Sequence, residues 1–141
     1  MFTSILCPVD FSDSSTRALR QAIAIAGHHR AHLTLVHVTD GLLDAAARAA
    51  GTEDTINEQT QEELRALLKE VSPDGAQYSI AVAIGEPAEE ILRQARDCGA
   101  DLIVMGTQGR GAARRLLMGS TAARVIETTS VPVLVVPPSR K

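Results

Sequence analysis

The sequence has very few aromatic side chains, with no Trp, one Tyr and two Phe among 141 residues. Hydrophobic residues still make up 45% of the chain, so we expect an aliphatic core. Without a set of aromatic platforms, the chain lacks the stacking surfaces on which proteins bind single-stranded nucleic acid. A formal net charge of −3 gives no general affinity for nucleic acid either. We therefore expect no nucleic-acid partner.

Long apolar runs and cysteine pairs are also scarce. No stretch approaches the roughly 20 apolar residues of a membrane span. The first ten residues lack the basic leader and apolar segment of a signal peptide. The only cysteines, Cys7 and Cys98, suit a reducing compartment better than a disulfide scaffold. These features predict a cytoplasmic protein with no membrane partner.

Strand-like and helix-like patterns alternate along the chain. Continuous apolar runs predict buried strands at 5–9, 33–38, 102–105 and 133–136, and an alternating run predicts a half-exposed edge strand at 78–84. Such alternation is typical of a parallel sheet with helices on both faces. The length suits a single domain over residues 1–141.

Apolar residues at helical spacing lie between the predicted strands. The first helix is predicted from about Asp13 to Ala26, with Ser12 as its N-cap and Gly27 as its end. Further helices are predicted over 64–71, from Pro87, and from about Ser120. Residues 39–55 fit a helical turn or a loop, and the sequence does not decide between them.

A glycine-rich stretch follows the fourth predicted strand. Gly106 is followed by two residues, Gly109, nine residues, and then Gly119 and Ser120. Glycine lets the backbone approach a ligand closely. A hydroxyl residue at a helix start accompanies free N–H groups and a positive dipole end. The stretch therefore has the chemistry of a phosphate site, although a plain loop ending in a Ser N-cap also fits it.

The common phosphate motifs do not match this stretch. A P-loop would need Lys and Ser or Thr where the chain has Ala112 and Ala113. A dinucleotide fingerprint starting at Gly109 would need a small residue where Arg114 stands, and it would follow the first strand rather than a late one.

The glycine spacing resembles instead the nucleotide-binding signature of the universal stress protein family. The likeness extends to the runs ILCPVDFS at 5–12, LTLVHV at 33–38, GEP at 85–87, ADLIVMG at 100–106 and SVPVLVV at 130–136. It covers nearly the whole chain and is weakest over 39–55. It implies a single three-layer α/β domain, similar to the adenine nucleotide alpha hydrolases. The implied sheet has five parallel strands in the order 3-2-1-4-5, with helices on both faces.

The resemblance also implies an ATP site, with or without Mg²⁺. Carried over by position, the residues at the adenine and ribose end are Pro8, Val9, Asp10 and Val38. Those passing beside the ribose and phosphates are Met105, Gly106 and Gly109, and those holding the phosphates are Gly119, Ser120 and Thr121. A carboxylate such as Asp10 suits ribose hydroxyls. Asp10 is also a candidate cap for the next helix, in competition with Ser12.

Two groups of basic side chains stay outside the predicted site. The arginines between the glycine groups suit phosphate geometry but equally suit a solvated basic face; they are Arg110, Arg114 and Arg115. Three histidines near the end of the first helix have no paired acid or cysteine pattern, so we assign no metal site to them; they are His28, His29 and His32.

The function indicated by the resemblance is ATP binding in a regulatory or stress-protective protein. The chain has no Walker lysine, no G-x-S-x-G elbow and no assignable general base, so we expect at most weak ATP hydrolysis. The alternatives are a slow ATPase or nucleotide-transfer enzyme, and a dimeric interaction module that binds no nucleotide.

The last predicted strand, Val133–Val136, lies at a sheet edge in the implied order and has no lysine or proline inside it. The unpaired N–H and C=O groups of an edge strand are normally covered by another part of the chain, protected by a lysine or proline in the strand, or paired with a further strand. We expect a homodimer through this strand, since the tail 138–141 looks too short to cover it.

Overall fold

A computed structural model of the chain describes residues 1–72, 78–107 and 118–139. The strands are β1 (Ser4–Pro8), β2 (His32–Thr39), β3 (Tyr78–Ile84), β4 (Leu102–Gly106) and β5 (Val133–Val136). The helices are α1 (Asp13–His29), α2 (Gly41–Ala50), α3 (Glu53–Val71), α4 (Pro87–Asp97) and α5 (Ser120–Thr128).

All strands join one parallel sheet in the order β3-β2-β1-β4-β5. This confirms the predicted α/β class and the strand order 3-2-1-4-5. The chain builds the sheet outward from β1 to β3, then returns to the other side of β1 for β4 and β5. The strand order therefore reverses between β1 and β4.

Each face of the sheet carries its own aliphatic core. On one face, Leu35 and Val104 pack with Leu19 of α1 and Leu64 of α3. On the other face, the buried residues include Leu6 and Ile103 of the strands, Ile91 of α4 and Val125 of α5. Strands covered on both faces need apolar side chains at successive positions. That requirement explains the continuous apolar runs in the sequence.

The first helix begins as predicted and ends later than predicted. The Ser12 side chain accepts a hydrogen bond from the Ser15 N–H, as an N-cap does. Gly27 does not end the helix, so that prediction was wrong. The helix continues to His29, and Arg30 takes the left-handed conformation with φ of 56°. The Arg30 N–H bonds back to Ala26 and Gly27, which gives a capped end two residues later.

The undecided segment 39–55 forms a helix and the start of another. Asp40 caps α2 by accepting from the Leu42 N–H, and Gly51 ends it with φ of 72°. The helix predicted over 64–71 is the last part of α3, which begins at Glu53. Its first half is largely exposed, so it lacks the apolar periodicity by which a helix is found in sequence.

Asp101 joins the amino ends of β1 and β4, far from the carboxyl edge of the sheet. Its carboxylate accepts hydrogen bonds from the Thr3 N–H at 2.9 Å, the Ser4 N–H at 3.1 Å and the Thr3 hydroxyl at 3.1 Å. Desolvation raises the pKa of Asp101, but these hydrogen bonds outweigh it and the net effect lowers the pKa below its ordinary value.

We expect Asp101→Asn to destabilise the protein at neutral pH. A depressed folded-state pKa stabilises the fold above the unfolded pKa of about 3.9, and that contribution is lost as pH falls through the folded value. Because the carboxylate is only half-buried and partly screened by solvent, we expect a loss of only about 1 kcal/mol at pH 7. Denaturant unfolding of parent and variant between pH 7 and pH 3.5 measures it. A difference that stays constant or grows on acidification would contradict the ionic contribution.

Candidate functional site

The two central strands separate at their carboxyl ends. β1 and β4 pair only at Ile5↔Leu102 and Leu6↔Ile103, although β4 continues to Gly106. This separation lies where the strand order reverses. In open parallel sheets, ligands bind beyond the carboxyl ends of the strands at such a reversal. The sheet therefore has one crevice in the expected place, and Asp10 and Gly106 follow the strands that form it.

The backbone of Val38 faces the crevice side of β2. Successive residues of a strand direct their N–H and C=O groups to opposite neighbours. The Val36 carbonyl accepts from Val9 on the β1 side, and the Thr39 carbonyl accepts from Gly85 on the β3 side. Val38 therefore points toward β1, whose pairing with β2 ends at Pro8↔Val36. Within the described residues, no hydrogen bond from β1 reaches it, which leaves one donor and one acceptor for a ligand.

Asp10 lies in the turn between β1 and α1. Its Oδ1 accepts from the Ser12 N–H at 2.9 Å, and its own N–H donates to the Ser15 hydroxyl at 3.3 Å. Ser12, not Asp10, is the N-cap of α1, so the alternative role of Asp10 as that cap is not adopted. Phe11 has φ of 64°, which is unusual for a bulky residue and costs backbone strain.

His37 supports this turn from β2. Its Nδ1 lies 2.8 Å from the Val9 carbonyl oxygen, and its ring contacts the Phe11 ring at a centroid distance of 5.3 Å. The structure gives it a definite positioning role, because it binds both residues that flank Asp10. A histidine at the carboxyl end of a strand beside the first β–α turn is the signal that could have indicated this.

The side chains of Val9 and Met105 are buried in the two cores, so these predicted site residues face the crevice with their backbone. The Val9 side chain is 2% exposed and packs on the α1 side, while Met105 is 4% exposed and packs on the α4–α5 side. Pro8 is half-buried at the end of β1. Gly109 lies outside the described residues, as do Arg110, Arg114 and Arg115.

The amino end of α5 is the other part of the site. Gly119 is its N-cap and supplies no capping side chain. Ser120 is the first helical residue and is exposed, so its alternative role as the N-cap is not adopted. The helical bonding begins with Ala123 donating to Gly119, which leaves the N–H groups of the first turn, including half-buried Thr121, without helical partners.

A backbone contact brings this helix end to the crevice. The Gly119 N–H donates to the Thr107 carbonyl at 2.6 Å, directly after Gly106 at the end of β4. The positive end of the α5 dipole therefore lies beside the separated ends of β1 and β4. The carboxyl edge of the sheet thus carries a helix amino end, whose dipole suits an anion, and the Val38 backbone groups, which have no partner among the described residues.

Gly106 has a packing role against α1. An added Cβ would lie 2.3 Å from the Ser14 hydroxyl oxygen and 2.8 Å from the backbone of Ser14 and Ser15. No side chain larger than hydrogen fits there without moving the first turn of α1. The glycine thus permits close approach of strand and helix, in addition to any contact it makes with a ligand.

Cys7, His29 and His32 lie among neighbours that account for their positions in the fold. Cys7 is fully buried, and burial raises the pKa of its thiol far above the ordinary value. His29 accepts from the Phe2 N–H, and His32 contacts the Ser79 hydroxyl. Among the described ranges, no group of three or more His, Cys, Asp or Glu side chains could hold a metal ion. No described helix is long and apolar enough to cross a membrane.

Comparisons with known proteins agree on one family. The model of the universal stress protein family matches residues 1–137. The chain belongs to the universal stress protein family. It is 36% identical to universal stress protein MJ0531 of Methanocaldococcus jannaschii, over 100% of this chain and 85% of that protein.

Solved structures of universal stress proteins share the fold. MJ0577 superposes with a TM-score of 0.87 at 29% identity and covers 100% of this chain and 99% of its own. A universal stress protein crystallised in complex with cAMP superposes with a TM-score of 0.71 at 25% identity, covering 98% of each chain. The predicted family and fold are both confirmed.

Two glycine substitutions in this universal stress protein should shift stability in opposite directions. Gly106→Ala forces a Cβ into the backbone of α1, so we expect a loss of about 1–3 kcal/mol. Gly27→Ala lies inside α1, and the new Cβ would have no atom within 4 Å apart from the local backbone of α1, so we expect a gain of about 0.5–1 kcal/mol. Urea unfolding compares both with the parent. A Gly106→Ala variant as stable as the parent would contradict the packing argument.

Proposed function

We propose that this universal stress protein binds ATP in the crevice between β1 and β4 and serves as a regulatory or stress-protective protein rather than a fast enzyme. The observation that carries the proposal is the presence, at one sheet edge, of two sets of backbone groups that have no partner in the described part of the chain. One is the β1-facing edge of Val38, and the other is the first turn of α5. Their chemistry matches the two ends of an adenine nucleotide.

The adenine end fits the backbone of Val38. The N6 amino group of adenine donates a hydrogen bond and the neighbouring N1 accepts one. A strand residue with a free C=O and a free N–H on the same side complements that pair. Guanine presents the reverse pattern at the same positions, so this edge favours adenine.

The phosphate end fits α5. A helix with no side-chain cap leaves N–H donors and the positive end of its dipole available to an anion. Gly119 keeps the approach open because it has no side chain, and the Ser120 hydroxyl adds an exposed oxygen. That oxygen is of the kind that Mg²⁺ accepts when it accompanies phosphates. Asp10 lies between the two ends and would accept hydrogen bonds from the ribose hydroxyls.

The relatives support a nucleotide of this class. One universal stress protein of the same fold was crystallised with cAMP, which contains adenine, ribose and a phosphate. ATP has the same adenine and ribose, with a linear chain of three phosphates on the 5′ oxygen instead of a cyclic phosphate, and the amino end of α5 suits the charge of that chain. The glycine spacing of the sequence points to the same choice of ligand.

We expect calorimetry to show ATP binding by the parent protein and at least tenfold weaker binding by Gly119→Val. The branched side chain would obstruct phosphate at the amino end of α5. GTP should bind at least tenfold more weakly than ATP, because guanine reverses the donor and acceptor that Val38 complements. Titrations with and without Mg²⁺ test the contribution of the metal ion.

Gly27→Val is the matched control for this experiment. It makes the same substitution in the last part of α1, with no atom within 4 Å of the new Cβ. We expect it to bind ATP as the parent does. Equal affinity of folded Gly119→Val and parent would refute the phosphate site, and equal affinity for ATP and GTP would refute the role of Val38.

We propose further that the protein forms a homodimer through β5. Among the described residues, this strand pairs with β4 and with no other strand. Pro132 and Val136 bond to β4 through their carbonyls, so the N–H and C=O groups of Val133 and Val135 point to the open side. An apolar edge of this kind invites pairing, and a two-fold axis would join two copies of it antiparallel.

The chain after β5 turns away from this edge. The Pro137 carbonyl accepts a hydrogen bond from Arg17, and the Ser139 N–H donates to Asp13 at 2.6 Å. Both partners belong to α1, which packs on one face of the sheet. As far as Ser139, the tail therefore covers a helix end and leaves the strand edge open, which favours pairing with a second copy.

We expect Val135→Pro to convert the dimer to a monomer. Proline removes an outward N–H from the edge while leaving the bonds to β4 in place. Val135→Ala, which also loses side-chain packing but keeps the N–H, should remain dimeric. Light scattering on a size-exclusion column distinguishes the chain mass of 15.0 kDa from twice that value. A parent protein that elutes folded at the monomer mass would contradict the proposal.

A further inference from the structure

The carbonyl of Val9, just beyond the end of β1, lacks the backbone partner that a regular sheet would give it. The Val9 N–H donates to the Val36 carbonyl at 2.8 Å and so continues the β1–β2 ladder. In a parallel ladder, a residue that donates to one carbonyl of its neighbour strand accepts from the N–H two residues further along that strand. The regular donor to Val9 is therefore Val38. Among the described residues, no hydrogen bond joins the Val38 N–H to this carbonyl.

The side chain of His37 supplies the donor instead. Its Nδ1 lies 2.8 Å from the Val9 carbonyl oxygen. A carbonyl oxygen can only accept a hydrogen bond, so Nδ1 carries the hydrogen in this contact. The imidazole of His37 therefore takes the place, on the Val9 carbonyl, of the N–H of the next residue along β2.

The position of the His37 ring directs the Val9 carbonyl out of the sheet. Strand side chains stand roughly perpendicular to a sheet and alternate between its faces. His37 therefore shares a face with Leu35, which packs in the core on the α1–α3 side. The ring contacts Phe11, which packs against the same core, at a centroid distance of 5.3 Å. A carbonyl that points toward this ring points away from the Val38 N–H, which lies in the plane of the sheet.

We propose that His37 determines base specificity, because it occupies the Val9 carbonyl and so keeps the Val38 N–H free for a ligand. This role rests on the proposed function, in which the Val38 backbone binds adenine. Without a donor at position 37, the carbonyl of buried Val9 would lose its partner, which costs free energy. The Val38 N–H is the ladder donor that can replace it. That bond would extend the β1–β2 ladder and remove the donor that adenine N1 needs.

The first test uses NMR spectroscopy of the isotope-labelled protein without ligand. In the parent, we expect His37 to be protonated at Nδ1 and the Val38 amide to exchange with solvent at least tenfold faster than the β2 amides that pair with β1. His37→Leu removes the donor, so the Val38 amide should exchange at least tenfold more slowly than in the parent. His37→Asn places an amide N–H where Nδ1 lies, and it should keep the exchange rate of the parent.

The second test measures base selectivity by calorimetry with ATP and GTP. The parent should prefer ATP at least tenfold, and we expect the two affinities to become similar in His37→Leu through weaker ATP binding. A general structural defect would weaken both nucleotides alike, and His37→Asn should restore the preference. His32→Leu is the matched control, because it makes the same substitution at the other end of β2, where the ring contacts the Ser79 hydroxyl. It should keep the preference of the parent.

Two results on the ligand-free parent would overturn this role even if His37→Leu does not fold. One is a His37 ring with its hydrogen on Nε2 alone, and the other is a Val38 amide as protected as its paired neighbours. An unchanged preference for ATP in folded His37→Leu, or its loss in folded His37→Asn, would also overturn it. A parent that binds no ATP, yet shows the expected His37 tautomer and Val38 exchange, would refute the proposed nucleotide site and not the pairing role of His37.

Discussion

The early end of β1 in the middle of the sheet is the constraint on which the proposed site depends. β1 pairs with β2 over five residues but with β4 over only two, so the central strand turns away while β2 and β4 continue. A continuous ladder would satisfy the backbone of Val38 and close the crevice. Because the ladder stops, a polar edge is left at the place where the strand order reverses. The proposed site thus depends on the missing backbone pairing beyond the end of β1 as much as on particular side chains.

The neighbouring elements hold this opening in shape. Gly106 allows the end of β4 to pack directly on the first turn of α1. His37 binds the Val9 carbonyl and contacts Phe11, which keeps the strained turn around Asp10 in one conformation. A rigid backbone frame suits recognition by N–H and C=O groups, since those groups cannot adjust as side chains do.

The amino end of α5 is positioned by packing and by one ion pair. Ala122 and Val125 are buried against the sheet. Arg124 lies 3.0 Å from Glu86, whose carboxylate also caps α4 by accepting from the Glu89 N–H at 2.8 Å. One carboxylate therefore links the start of α4 to the middle of α5 on the same face. The positive end of the α5 dipole is oriented by contacts that need no ligand.

The two faces of the sheet divide the polar groups differently. The α4–α5 face ends in backbone donors and acceptors and in a helix terminus, which suit a nucleotide. The α1–α3 face ends under α2 in a half-open pocket with apolar and charged lining residues, and the Glu53 Oε2 is buried in its wall.

The sequence by itself determined the strands, the family and most of the residues at the carboxyl edge. Those features follow from local rules: apolar runs mark buried strands, and a glycine spacing marks a loop near a ligand. Asp10, Val38 and Gly119 could be assigned by resemblance to the family, because each occupies a position in a motif.

Only the tertiary structure decided which groups are left unpaired. Gly27 continues its helix because a later residue, Arg30, takes the left-handed cap. α2 is short, and most of its residues are exposed, so periodicity could not identify it. The roles of His37, the packing of Gly106 on Ser14 and the unsatisfied Glu53 all depend on residues distant in sequence. Hydrogen-bond satisfaction and close packing are set by three-dimensional neighbours, so no local pattern could reveal them.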